Sequence, residues 1–343
     1  MAETLRARRV ESGVDVGEWP HPERTALVEG RGALLAWDVL SGAVFPAARV
    51  YDPVRAADWL WEVYGPEVAA ELLGGAESVT AREDESPVRD ACALLAHLGW
   101  VEAWWPASSV AGVPAVDPVL LNAELAVATA AVEHLLDDED ATARALAVAT
   151  LPDIAVDPEV AALAARLAEL ADDHGVALPE PVAAPSRSEF ALAAGGSDRT
   201  GTISVLSGVS PVDWAAVPAG VVDAAAGAEW AVVREPGGTV LEVTVLPAPG
   251  LAPRPRLSAR FGDVELPLDG VDDLGRITGR VAVPPTVLLT PPARRVLTVY
   301  AAGFAETQPD PDASERRAAI IAYARSRVDT PTATITERRA GRR

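Results

Sequence analysis

A chain of 343 residues, 49% of them hydrophobic, carries enough apolar material for two cores, which excludes wholesale disorder. A net charge of −21 repels phosphate backbones and sets nucleic-acid binding aside for the body of the protein. A single cysteine, Cys92, excludes an intrachain disulfide framework, and the lack of any long apolar run excludes a secretory signal or membrane span, so the expected compartment is the cytoplasm.

Residues 1–30 are charged and broken by Gly, Pro and His, which predicts an N-terminal arm. A helical domain is predicted over 31–175. Its first segment, 33–40, reads as a short helix or a strand. Helix starts then recur as a capping acceptor followed by proline: Asp52-Pro53, Ser86-Pro87, Asp117-Pro118 and Asp157-Pro158. The acceptor side chain satisfies a free N–H, and proline's missing N–H costs nothing at the first helical position. Glycines at 65, 74, 75 and 175 supply the stops. Cys92 lies in a helical pattern as a small core residue. Just beyond it, Trp100, Trp104 and Trp105 put three indoles within six residues. They cannot all point one way, so some seal the core and another is a candidate protein contact.

Residues 176–188, with three prolines, read as a linker. Beyond it the apolar period changes to two, and strands are predicted at 202–206, 229–234, 240–246, 256–261, 264–268, 277–283 and 296–300. These belong to a β-rich domain over 189–328 that closes on a helix at 314–328. Residues 329–343 read as a flexible basic tail. From Glu315 to the end, eight arginines face three acids. The expected fold class is therefore multidomain α and β: an all-α helical N-terminal half, then an antiparallel β-sandwich-like C-terminal half with a terminal helix.

Phosphate loops, dinucleotide fingerprints, zinc-protease helices and serine elbows are absent from the sequence, and no cofactor is expected. Asp269, Asp272 and Asp273 form a compact acidic turn whose oxygens suit Ca²⁺ or Mg²⁺, against the simpler reading of a solvated β-turn. Pro284-Pro285 and Pro291-Pro292 bracket an apolar run that reads as an edge strand, with Val287 and Leu289 as candidate contacts for a partner peptide. Arg338, Arg339, Arg342 and Arg343 are the candidate contacts of the tail, the one place where nucleic acid is admitted.

These features favour a noncatalytic adaptor or assembly subunit with a protein partner. The alternatives are a metal-dependent or carboxylate-based hydrolase with a cleft between the halves, and a regulatory subunit contacting nucleic acid through its tail. The Ala, Val, Asp and Arg usage resembles that of high-GC actinobacterial proteins, which places the adaptor in a bacterial multiprotein system, defence systems included.

Overall fold

The computed structural model describes residues 2–11, 13–152, 157–180, 203–250, 256–304 and 310–341. The chain divides into two compact units. The first comprises Met1–Trp104, Val116–Val182 and Val328–Arg343; the second comprises Trp105–Ala115 and Ala183–Arg327.

The first unit contains a sheet that the charged sequence of residues 1–30 conceals. Along β1 (Ala2–Val10), Leu5 and Ala7 are buried while Thr4, Arg6 and Arg8 are exposed. A strand with one wet face alternates in this way, and with so few apolar positions the alternation passes for a polar arm. With β2 (Gly13–Val16), β3 (Thr25–Gly30), β4 (Ala33–Asp38), β5 (Ala47–Val50) and β6 (Ser78–Arg82) it forms a six-stranded sheet in the order β3-β4-β5-β2-β1-β6. Every pairing is antiparallel. The expectation of an all-α N-terminal half is thus overturned, and the run 33–40 resolves as strand. β1 changes partner along its length: Ala2 to Arg6 pair with β6, and Ala7 to Val10 with β2.

Helices follow at the acceptor-proline starts. They are α1 (Pro53–Ala56), α2 (Leu60–Tyr64), α3 (Pro66–Gly74) and α4 (Pro87–Trp104). Asp52 accepts from the backbone N–H groups of Val54 and Arg55. α4 packs on β3 and β4, and α3 on β6 and β2. Trp59, Leu60, Leu72, Leu98 and Trp100 are at most 1% exposed there. Gly30 admits the Trp59 indole, since a Cβ would lie 2.5 Å from it, and Trp59 Nε1 donates to the Arg31 carbonyl at 2.9 Å. α5 (Pro118–Ala131), α6 (Ala141–Val148) and α7 (Pro158–Asp173) share an apolar core that includes Leu120, Leu146, Leu163 and Leu167.

The second unit holds two antiparallel sheets. β7 (Ile203–Pro211), β8 (Gly227–Glu235), β9 (Gly238–Val245), β12 (Gly270–Val271) and β13 (Ile277–Val283) form one, in the order β12-β13-β9-β8-β7. β10 (Leu257–Phe261), β11 (Val264–Leu268) and β14 (Leu297–Ala301) form the other, in the order β11-β10-β14. Leu241, Val243 and Val245 of the first share a core with Leu257, Ala259, Phe261 and Val299 of the second. The proline-bracketed run is not a strand: Pro285–Leu289 is a 3-10 turn. Proline's fixed φ and missing N–H suit the first position of such a turn better than a ladder.

α8 (Ala313–Val328) is anchored to the second unit by Arg317, which donates to the Val212 carbonyl and lies 5.9 Å from the Trp214 ring. α9 (Ile335–Ala340) belongs to the first unit, within the stretch that reads as a flexible tail. Its N-terminus carries a complete capping box between Thr334 and Glu337. Of the predicted linker, residues 181–188 lie outside the described residues.

Candidate functional site

Three neighbouring strands of the first unit place charge in a row. The register sets Arg8 of β1 opposite Asp15 of β2, and Asp15 opposite Arg49 of β5. Arg8 Nη2 donates to Asp15 Oδ2 and Arg49 Nε to Asp15 Oδ1, both at 3.2 Å. One carboxylate thus holds two guanidiniums by its two oxygens. Arg49 also lies 5.1 Å from the centre of the Trp19 ring, which is partly exposed.

Two further arginines complete the site. Arg6 stands on the same exposed face of β1 as Arg8, and its side chain makes no hydrogen bond or ion pair among the described residues. Arg9 crosses the C-terminus of α3, where its Nη2 donates to the Gly74 carbonyl at 3.4 Å. That crossing requires Gly75: its φ is +93°, and a Cβ there would lie 2.5 Å from the Arg9 guanidinium. Arg6, Arg8, Arg9, Arg49, Asp15 and Trp19 line a recess of about 680 Å³. Glu77 is the second acid of its lining, so four guanidiniums face two carboxylates. Arg8 and Arg49 are 78% and 53% exposed, which puts their pairs with Asp15 at about 0–1 kcal/mol each. The row therefore contributes little to stability. The run Arg6-Ala7-Arg8-Arg9 was the sequence signal for it; Asp15, Trp19 and Arg49 join only through strand register.

The residues singled out in the sequence lie elsewhere. Trp100 and Trp105 are buried, and each indole N–H donates to a backbone carbonyl: Trp100 to Glu23 at 2.9 Å and Trp105 to Pro114 at 2.8 Å. Trp104 is half-buried. Val287 packs partly against the core of the second unit, while Leu289 is exposed. Arg338 and Arg339 pair with Glu159 at 2.9 Å and Asp157 at 3.3 Å, next to the start of α7. Arg342 and Arg343 lie outside the described residues.

Of the acidic turn Asp269, Asp272 and Asp273, the Asp272 carboxylate is engaged within the turn itself. Asp272 accepts from the Leu274 N–H and from the Arg276 N–H and Nε. Burial alone would raise its carboxyl pKa, but these bonds and the Arg276 charge outweigh it and hold the pKa below the usual value. Among the described residues no three of His, Cys, Asp or Glu are grouped to hold a metal ion. No helix among them is long and apolar enough to cross a membrane.

Cys92 is fully buried, and burial pushes its thiol from 9.0 up to about 12. The thiolate is the reactive form, so the folded protein is expected to resist iodoacetamide at pH 8 and to be labelled only on unfolding. Mass spectrometry of native and urea-treated samples checks this. Because the folded value lies above the unfolded one, the stability tied to the neutral thiol is complete below pH 9 and is lost as pH rises toward 12. Tyr64 shifts in the same direction, mainly through burial.

Compared with known proteins, the chain matches no family model, no curated protein and no solved structure.

Proposed function

We propose that the protein is a noncatalytic adaptor or assembly subunit, and that the arginine-lined recess is where it takes an acidic segment of a protein partner. The observation that carries this reading is the convergence of Arg6, Arg8, Arg9 and Arg49 on one recess in a chain of net charge −21. The two charge scales act differently. Over long distances the acidic body repels extended polyanions such as nucleic acids. At contact distance, guanidinium forks recognise individual carboxylates or other oxyanions with fixed geometry. The combination selects a short acidic element on a partner that is not itself strongly acidic throughout. Trp19 on the rim adds flat apolar area beside the charge, as interface anchors do.

The test is quantitative affinity purification of the tagged full-length chain against a variant with Arg6→Glu and Arg9→Glu. Neither side chain makes an ion pair among the described residues, so the fold is expected to survive, which circular dichroism checks. A stoichiometric partner is expected with the natural chain and at least tenfold less with the variant, roughly the cost of losing one or two charge-assisted contacts. Retention of the same partners by the variant would remove the recess from the interface.

A further inference from the structure

We infer that the group the recess recognises is a phosphate monoester. This rests on the reading of the recess as the binding site and names the chemistry of its ligand. The argument begins with charge. Asp15 divides one negative charge between Arg8 and Arg49, and Glu77 supplies the second carboxylate of the lining among the described residues. Four positive charges against two negative ones leave an excess of two. A carboxylate brings one charge to that excess. A phosphate monoester brings about −1.5 to −2 at pH 7, together with three strong acceptor oxygens.

Geometry points the same way. Strand register sets Arg8 and Arg49 on either side of Asp15, and each pairs with it, which places the two guanidiniums in one row. Arg6 is uncommitted, and Arg9 has a single long contact to a backbone carbonyl. Three phosphate oxygens can accept from several such forks at once, where a carboxylate has two oxygens. The phosphate is thus the recognised element, borne either by a modified side chain of a partner or by a small phosphorylated molecule. Trp19, beside Arg49, offers a face to whatever planar group the phosphate carries.

Isothermal titration of the full chain with four probes tests this. They are inorganic phosphate, adenosine monophosphate, a short Gly/Ala peptide with one phosphoserine, and the same peptide with glutamate in its place. Both phosphorylated compounds are expected to bind at least about tenfold more tightly than the glutamate peptide, inorganic phosphate to compete with them, and Arg6→Gln to weaken them about tenfold. Arg6→Lys, which keeps the charge and loses the fork, should fall between. Preference for the phosphopeptide over the nucleotide assigns the source to a partner protein, and the reverse assigns it to a small molecule. Equal binding of the phosphoserine and glutamate peptides overturns the phosphate assignment and leaves the acidic-segment reading standing. Absence of binding by all four overturns the phosphate assignment, and the Arg6→Glu, Arg9→Glu purification then decides separately whether the recess binds a partner.

Discussion

Replacing Asp223 with alanine is expected to destabilise the second unit by roughly 3–5 kcal/mol, the upper range for a single substitution. The Asp223 side chain is buried, with the residue 1% exposed, and its carboxylate is fully occupied. Oδ1 accepts from the Ser108 hydroxyl at 2.6 Å and from the Ala225 and Ala226 N–H groups at 3.1 and 3.2 Å. Oδ2 accepts from the Ser109 and Val110 N–H groups at 2.7 and 3.3 Å. Asp223 thereby ties the segment Trp105–Ala115 to the strand-rich remainder of its own unit. Alanine leaves these donors without the acceptor, and among them the Ser108 hydroxyl belongs to a buried residue. A buried donor that loses its partner costs about 1–3 kcal/mol. Asp223→Asn keeps the shape but turns an NH₂ toward the donors and removes the charge, so a smaller loss of about 1.5–3 kcal/mol is expected. Scanning calorimetry of the full chain should show one transition lowered by roughly 6–20 °C in the alanine variant and the other unmoved. An unchanged thermogram would mean that water replaces the carboxylate without cost.

The second large effect is expected at the C-terminus. Glu337 is 0% exposed; Oε1 lies 2.9 Å from His97 Nε2, and Oε2 accepts from the Thr334 N–H at 2.8 Å. Across the helix start, Glu124 of α5 accepts from the Ile335 and Thr336 N–H groups at 2.9 and 2.8 Å. Two carboxylates from different elements thus satisfy the free donors at the first turn of α9, and their charge suits its positive end. Glu337→Ala removes the capping box and the contact with His97 and leaves a cavity, for an expected loss of roughly 2–4 kcal/mol. Most of this falls on local docking of α9, so the readout is local. Trypsin should spare Arg338 and Arg339 in the natural chain and cut there rapidly in Glu337→Ala and in Glu124→Ala. Equal cleavage of all three proteins would show that α9 is undocked even in the natural chain.

The reach of sequence reading differs between the two units for identifiable reasons. Helix starts at Pro53, Pro87, Pro118 and Pro158 were legible because capping and proline stereochemistry are local. The strands of the second unit apart from β12 were legible because Val, Leu and Ile alternate strongly along them, as in Val240 to Val245. β1, β2 and β6 were not, since their buried positions are Leu5, Ala7, Val14, Val16, Val79 and Ala81 amid charge. So small an apolar signal becomes a strand only once neighbouring strands satisfy its backbone. α9 reads as a basic tail for a similar reason: the partners of its arginines are Asp157 and Glu159 at the start of α7, and the acceptor of the Ile335 and Thr336 N–H groups is Glu124 of α5.

By itself, then, the amino-acid order determined where helices begin, where the apolar period changes from that of helices to that of strands, and that the chain carries a large negative charge. Tertiary structure decided what those pieces do. It paired a charged N-terminal segment into a sheet, buried Trp100 and Trp105, spent the carboxylate of Asp272 on its own turn, and brought Arg49 beside Asp15 and Arg8. The physical reason is range. Caps, turns and periodicity act over a few residues and are written locally, whereas the arginine-lined recess depends on strand register, which joins residues more than 30 positions apart.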